Sequence, residues 1–380
     1  MIRVLDDAAV GPFERVVQAV DHDSGLRVVV AIHSTALGPA VGGTRFFPYE
    51  SDASATIDAL RLAEGMTLKA AAAGLQVGGG KAVIAGDPAR LRSRALWRAY
   101  ARVIDLFGGA YHTAEDVGTT AADMTALRRH TPYVLGLPDA RDGWDGDPSP
   151  FTARGVVAAI RAAWGSEAGR EGLGGARVVV QGVGKVGAVV AGLLAAEGVR
   201  LWISDADPAR AAMVASWTGA EPLPPADVLS HPCDVLAPCA MGGVLRPETV
   251  PALRCPWVVG AANNQLSEDR VADLLAARGI GYVPDFVANA GGLIAVSEQL
   301  AGGDAGRAAD RADRIGDAVR DLLDAAAAAG ETPLSAAVRC AAARLAPLGG
   351  PRPLGRDHPP ARVAAGRAGE PRHRVSSGVA

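Results

Sequence analysis

The chain has 380 residues, enough for two domains with separate cores, and only 4% of them are aromatic, which makes small residues the main packing material. A net charge of −3 gives no electrostatic support to a nucleic-acid or membrane-surface partner. The sequence has no opening basic-then-apolar leader and no apolar run of roughly 18 residues, so a cytoplasmic location is expected.

In chain order, residues 14–20 and 26–32 alternate as strands, joined by a turn-rich Asp21-His22-Asp23-Ser24-Gly25 connector that predicts a hairpin. The glycines of Gly38 to Arg45 predict a bend. Ser51 or Asp52 is placed to cap a long helix towards Ala73, with Lys69 near its C-terminal end. Gly78-Gly79-Gly80-Lys81 leads into a small strand at 82–84, and one helix is expected over roughly 88–107. A third strand near Tyr111 and His112 runs into Thr113-Ala114-Glu115-Asp116-Val117-Gly118-Thr119. The Asp-, Gly- and Pro-rich stretch 139–150 is the best candidate hinge.

The stretch from Arg177 to Asp207 carries the most specific signal. Val178 to Val180 predict a buried parallel strand ending in Gly182-x-Gly184-x-x-Gly187. An apolar helix follows, then a strand at 201–204 ending at Asp205. A strand, a glycine turn, a helix, a second strand and an acid about 20 residues on form the dinucleotide fingerprint in context. The helix N-terminus favours a pyrophosphate. Asp205 is placed to accept ribose hydroxyls and Asp207 to repel a 2′-phosphate, which favours NAD over NADP; Arg210 works against that preference. Three further strands, 234–237, 257–259 and 281–283, each end in small or polar residues. Asn263, Asn264 and Asn289 in those loops are therefore placed to meet the nicotinamide end.

Lys69 and Lys81 both lie in apolar, glycine-rich surroundings, where solubility lysines seldom sit. The glycines before Lys81 predict backbone passing close to a ligand. Two neighbouring, partly desolvated cations would disfavour a second charge and make one lysine usable as a base, with Asp116 as its proton partner. Cys233, Cys239, Cys255 and Cys340 have neither CxxC nor Cys/His ligand spacing, so reduced cysteines and no metal are expected. Residues 306–346 read as helical, and the Pro/Arg-rich segment from 348 as a disordered tail.

The segments 32–45, 65–84 (GMTLKAAAAGLQVGGGKAVI), 113–119 (TAEDVGT), 146–152 (GDPSPFT), 237–244 (APCAMGGV), 260–266 (GAANNQL) and 284–292 (PDFVANAGG) together resemble the amino acid dehydrogenases acting on Glu, Leu, Phe and Val. The resemblance spans about residues 12–345 and is nearest to the valine and leucine members. It implies an α/β architecture: a substrate domain with a mixed sheet over 1–145 and a doubly wound Rossmann domain over 146–330. A helix at 331–347 returns to the substrate domain, a tail fills 348–380, and the active site lies in the interdomain cleft. It further implies reversible NAD-dependent oxidative deamination of a branched-chain L-amino acid to the 2-oxo acid and ammonium, by a homo-oligomer. The alternatives are a phenylalanine or other hydrophobic amino acid dehydrogenase, a glutamate dehydrogenase, and a silent NAD-binding protein.

By the same resemblance Lys69 binds the substrate carboxylate, and Lys81 is the depressed-pKa lysine that activates water. Asp116 exchanges protons with the amine, while Gly42, Gly43, Ser149, Thr152, Asn263 and Asn289 hold substrate or nicotinamide. Lys185, Val186, Cys239 and Ala240 join the fingerprint glycines and Asn264 around the dinucleotide. Val41, Ala114, Leu293 and Val296 wall the side-chain pocket. Glutamate dehydrogenases place a lysine where Val41 stands and a serine where Val296 stands, so an aliphatic substrate is expected.

Overall fold

In the computed structural model, residues 2–166 and 172–349 are described. The first region opens with β1 (Arg3–Val10), β2 (Phe13–Asp21), β3 (Leu26–Ser34) and β4 (Ala40–Phe47). It continues through α1 (Asp52–Ala72), β5 (Gly78–Ala85), α2 (Pro88–Leu91), α3 (Arg94–Asp105), β6 (Tyr111–Glu115) and α4 (Ala121–Arg128). Its six strands form one mixed sheet in the order β1-β2-β3-β5-β4-β6. The strands from β1 to β5 pair antiparallel, and β4 lies parallel between β5 and β6. The expected hairpin is β2 and β3.

Three local readings need correction. Gly38 to Arg45 is not simply a bend, because Ala40 to Phe47 is a strand at the heart of the sheet. A Cβ on Gly42 would lie 1.7 Å from the Gly80 oxygen, so glycine there lets β4 and β5 interlock. The Gly78-Gly79-Gly80 run is itself strand, and protein is what it approaches closely. Added Cβ atoms at 78 and 79 would sit 2.0 Å from the Ser34 oxygen and 2.2 Å from the Thr67 nitrogen. The helix expected over 88–107 is split, because Ser93 is extended and caps α3 through the Leu96 N–H. The long α1 begins as expected: Ser51 caps it in a reciprocal pair with Ser54.

The second region runs through α5 (Ser149–Gly165), β7 (Arg177–Gln181), α6 (Lys185–Ala196), β8 (Arg200–Ser204), α7 (Pro208–Thr218), β9 (Glu221–Pro222), β10 (Val235–Pro238), β11 (Trp257–Val258), α8 (Val271–Ala277), β12 (Gly281–Tyr282), α9 (Asp285–Ala288) and α10 (Gly291–Leu300). All six strands are parallel, in the order β12-β11-β10-β7-β8-β9. Numbered from β7, that order is 6-5-4-1-2-3, the doubly wound dinucleotide topology. Val178, Val179 and Val180 are completely buried, as a parallel strand covered on both faces requires.

The chain closes with α11 (Ala305–Asp313), α12 (Ile315–Ala329) and α13 (Pro333–Leu345). Arg344 of α13 donates to the carbonyls of Ala70, Ala71 and Leu75, where α1 ends. One apolar core runs from Leu68 and Val41 of the first region through α5 and the parallel sheet to α13. No helix among the described residues is long and apolar enough to cross a membrane. The tail expected over 348–380 falls, from residue 350 on, outside the described residues.

Candidate active site

The middles of β5 and β4 and the carboxyl end of β6 face the segments that follow β11 and β12, and between them lies a cavity of about 330 Å³. It is lined by Lys69 from α1, Lys81 from β5, and Ala114 and Asp116 at the end of β6. The opposite wall has Ser149 and Thr152 of α5, Asn263, Asn264, Asn289, and Leu293 and Val296 of α10. The face of α1 towards the cavity carries Arg61, Leu62, Gly65, Met66 and Lys69, the 3–4 residue spacing of one helix side.

Lys81 is 6% exposed, and its Nζ lies 2.5 Å from Asp116 Oδ2. Arg45 Nε reaches the same oxygen at 3.5 Å, while its Nη1 donates to Asp58 Oδ2 at 2.9 Å. Tyr49 donates its hydroxyl hydrogen to that Asp58 oxygen as well. Burial opposes charge on Asp116, yet Lys81 and then Arg45 hold its carboxyl at about 2, well below the usual carboxylate range. The acid is fixed from behind: its backbone N–H donates to Thr119 Oγ1, and that hydroxyl lies within bonding distance of the Thr44 carbonyl at 3.0 Å. Gly43 makes room for it, since a Cβ there would lie 2.7 Å from Asp116 Cβ.

Across the cavity the asparagines converge. Asn289 Nδ2 donates to Asn263 Oδ1 at 2.9 Å and to the Ala261 carbonyl at 3.0 Å. Lys69 Nζ donates to the same Asn263 oxygen at 3.4 Å, tying α1 to the loop after β11. A second cross-cleft contact joins Lys185 Nζ of α6 to Glu115 Oε1 of β6 at 2.8 Å. The apolar end of the cavity is continuous: a Cβ built on Gly136 would sit 3.9 Å from both Ala114 Cβ and Val296 Cγ1. Val41 is the exception among the expected wall residues. It is 1% exposed and packs in the same core as Ala114, Leu293 and Val296, behind the cavity surface. Gly42 likewise sits behind the surface, its carbonyl accepting from the Tyr111 hydroxyl at 2.7 Å.

Beside this cavity the glycine turn has the shape a dinucleotide needs. Gly182 has φ +89°, and a Cβ there would meet Ala240 at 2.6 Å. A Cβ on Gly187 would lie 1.9 Å from the Gly182 oxygen, so α6 packs tightly on β7. A Cβ on Gly184 would meet nothing within 4 Å, and α6 starts there without any side-chain cap. Open space over uncapped helix N–H groups is what a pyrophosphate fills. Val186 reaches the cavity wall, and Cys239 lies against Gly187.

Asp205, at the end of β8, is more engaged than a purely ligand-facing acid. Its Oδ2 accepts from the Val183 N–H at 2.9 Å; its Oδ1 accepts from the Asp207 N–H at 2.9 Å and from Arg210 at 3.1 Å. Burial works against its charge, but these donors together keep its carboxyl below the usual range. Asp207 caps α7 through the Ala209 and Arg210 N–H groups. The charged and hydroxyl network around Asp116 and Lys185 includes residues that sequence reasoning left out of the site, among them Arg45, Glu115, Asp58 and Tyr49. Only Arg45 left a trace in the sequence, as a lone cation between the Gly-Gly pair and Phe46-Phe47.

Residues 14–133 match the family model described as the Glu/Leu/Phe/Val dehydrogenase dimerisation domain, and residues 207–303 match Glutamate/Leucine/Phenylalanine/Valine dehydrogenase. The chain is 43% identical over 336 residues to a leucine dehydrogenase of Bacillus cereus, covering 88% of this chain and 92% of that one. It is 44% identical over 346 residues to a valine dehydrogenase of Streptomyces coelicolor, covering 88% and 93%. Among solved structures, L-tryptophan dehydrogenase from Nostoc punctiforme superposes with a TM-score of 0.77 at 37% identity, over 89% of this chain and 97% of that chain. The chain therefore belongs to the Glu/Leu/Phe/Val dehydrogenase family, the pyridine-nucleotide-dependent amino acid dehydrogenases.

Proposed function

We propose that the protein oxidises branched-chain L-amino acids to their 2-oxo acids with release of ammonium, using NAD, and works as a homo-oligomer. The observation that carries this reading is the division of one cavity into a charged end, with Lys69, Lys81 and Asp116, and an apolar end, with Ala114, Leu293 and Val296. An α-amino acid has the matching halves. Lys69 takes the α-carboxylate, and its link to Asn263 sets the ammonium at the nucleotide side of the cleft. Asp116 accepts a proton from the substrate amine and later returns one to it. Lys81, once deprotonated, draws a proton from the water that attacks the imine carbon and passes it to solvent; it then takes the carbinolamine hydroxyl proton as the carbonyl forms and the amine, reprotonated by Asp116, leaves as ammonia. When bound, the nicotinamide takes the hydride from the substrate Cα.

Asn263 and Asn289 orient the groups at the nicotinamide end, with Asn264, Ser149 and Thr152 around them. The turn from Gly182 to Gly187 and the α6 N-terminus hold the pyrophosphate. Asp205 faces the adenosine ribose, and its charge together with that of Asp207 favours NAD. The relatives named as leucine and valine dehydrogenases support the aliphatic preference. Burying a glutamate γ-carboxylate against Ala114, Leu293 and Val296 would leave a charge unpaired there, whereas each aliphatic CH₂ gains about 0.8 kcal/mol. Initial rates of NADH formation with a panel of amino acids test this. Valine, leucine and isoleucine are expected to have kcat/KM at least about tenfold above glutamate, a gap of about 1.4 kcal/mol. Phenylalanine is expected below the best of the three. Glutamate ahead of all three would overturn the pocket argument.

A further inference from the structure

A carboxylate 2.5 Å from Lys81 poses a problem for a lysine that must give up its proton during turnover. Opposite charges at that distance in a poorly solvated place attract strongly. The geometry around Asp116 supplies the counterweight. Arg45 lies on β4, next to β5 in the sheet, and its Nε approaches the same Oδ2 that Lys81 uses. Its side chain is 22% exposed and lines the cavity, while its Nε is buried and has no hydrogen-bond partner among the described residues. Behind it Asp58 of α1 takes the Nη1 hydrogen, and Tyr49 bonds the same Asp58 oxygen. The order of charges from the cavity outwards is Lys81, Asp116, Arg45, Asp58.

We infer that Arg45 is a positioning and charge-balancing residue: it shares Asp116 with Lys81 and so weakens the carboxylate's hold on the Lys81 proton, while Asp58 aims it and limits its effect. The inference rests on the amino acid dehydrogenase reading of this site. In that chain of alternating charges each member offsets the next. Removing Arg45 leaves Asp116 wholly to Lys81, so the site keeps its proton to higher pH. Removing the charge of Asp58 gives Arg45 its full effect on Asp116, so the proton leaves at lower pH. The other ionisable groups facing the cavity are Arg61 and Lys69 of α1, Glu115 of β6 (paired with Lys185 of α6), and Asp285 of α9. All four, and Lys185, stay in place in the variants below.

The test is the pH profile of kcat/KM for valine oxidation in the wild type, Arg45→Met, Arg45→Lys and Asp58→Asn, each checked for NADH binding and melting temperature. Asn keeps an oxygen for Arg45 Nη1, so Asp58→Asn removes charge with little change of shape. The acid limb is expected to move up by about one pH unit in Arg45→Met, to stay near the wild type in Arg45→Lys, and to move down in Asp58→Asn. Shifts of opposite sign are something that loosened packing would not produce. An unmoved limb, or a shift of the same sign in Arg45→Met and Asp58→Asn, would overturn the inference, even if every variant lost rate uniformly. A wild type that fails to oxidise amino acids would instead defeat the functional reading itself, so the two failures are distinct.

Discussion

In the parallel sheet, the groups prepared for a ligand are mostly backbone: the bare α6 N-terminus, a glycine facing open space, and loops at strand ends. In the mixed sheet they are buried, charged side chains, with Lys81, Asp116 and Arg45 crowded around a single carboxylate oxygen. The difference follows from the work. A pyrophosphate needs N–H groups and room, which a short motif in one stretch of chain provides. Proton transfer needs opposing charges held at hydrogen-bond distance in a poorly solvated place, and strands far apart in sequence must meet to build that. The first kind of site fails where a Cβ would fill the glycine turn, as at Gly182 and Gly187; the second depends on each charged member.

The largest expected effect that sharpens this contrast is Asp116→Asn. The amide keeps the shape but accepts no proton, so kcat is expected to fall by about a thousandfold or more, roughly 4 kcal/mol, with NADH affinity unchanged. Stopped-flow or steady-state rates with valine would measure it, and near-wild-type turnover would remove Asp116 from the chemistry.

Next in size is a pH effect on stability confined to the mixed sheet. His33 of β3 is fully buried against Thr67, its Nδ1 2.9 Å from the hydroxyl, and burial lowers its pKa to about 4 from 6.5. Folded protein then holds His33 neutral while the unfolded chain takes up a proton below about 6.5. Stability from this residue is complete above that pH and declines as pH falls towards about 4, by up to ~3 kcal/mol. Chemical denaturation at about pH 7.5 and about pH 5, the latter inside the titration window, should show a smaller pH-linked loss in His33→Asn than in the wild type. An equal loss in both would place the acid sensitivity elsewhere.

The smallest expected effect lies in the parallel sheet. Asp205→Ala removes a ribose partner but also the acceptor of the Val183 N–H, and it leaves Arg210 with Asp207 as its carboxylate partner. NADH is expected to bind about tenfold more weakly, ~1.4 kcal/mol, with NADPH gaining relative to it. Unchanged affinity for both nucleotides would show that Asp205 serves only the turn.

The legibility of the sequence divides along the same line. The Rossmann half reads directly from β7 to Asp205, because its signals are local: a β-branched run, three glycines at fixed spacing, an acid at a strand end. The capping of α1 by Ser51 reads for the same reason. In the mixed sheet, locality misleads. Ala40 to Arg45 and Gly78 to Gly80 belong to glycine-rich stretches of turn composition, yet they are strand, because the clashes their glycines avoid are with Gly80, Ser34 and Thr67 on other elements. The break at Ser93 was hidden inside one continuous apolar pattern. Lys69, Lys81 and Asp116 could be named from the sequence through the family motifs around them. Arg45 could not be given a role, since its partners Asp116 and Asp58 lie on β6's exit and on α1. Val41 was expected on the pocket wall by resemblance to the family; it shares a strand face with Gly43 and Arg45, which line the cavity, but at its end of that face it is covered by the core.

The claim that the chemistry belongs to one half and the cofactor to the other is tested most directly by Lys81→Ala, with turnover and NADH binding measured on the same preparation. The account predicts turnover with valine reduced to a trace, while NADH fluorescence titration gives the wild-type dissociation constant. Substantial turnover in Lys81→Ala, or loss of NADH binding in a folded variant, would contradict it.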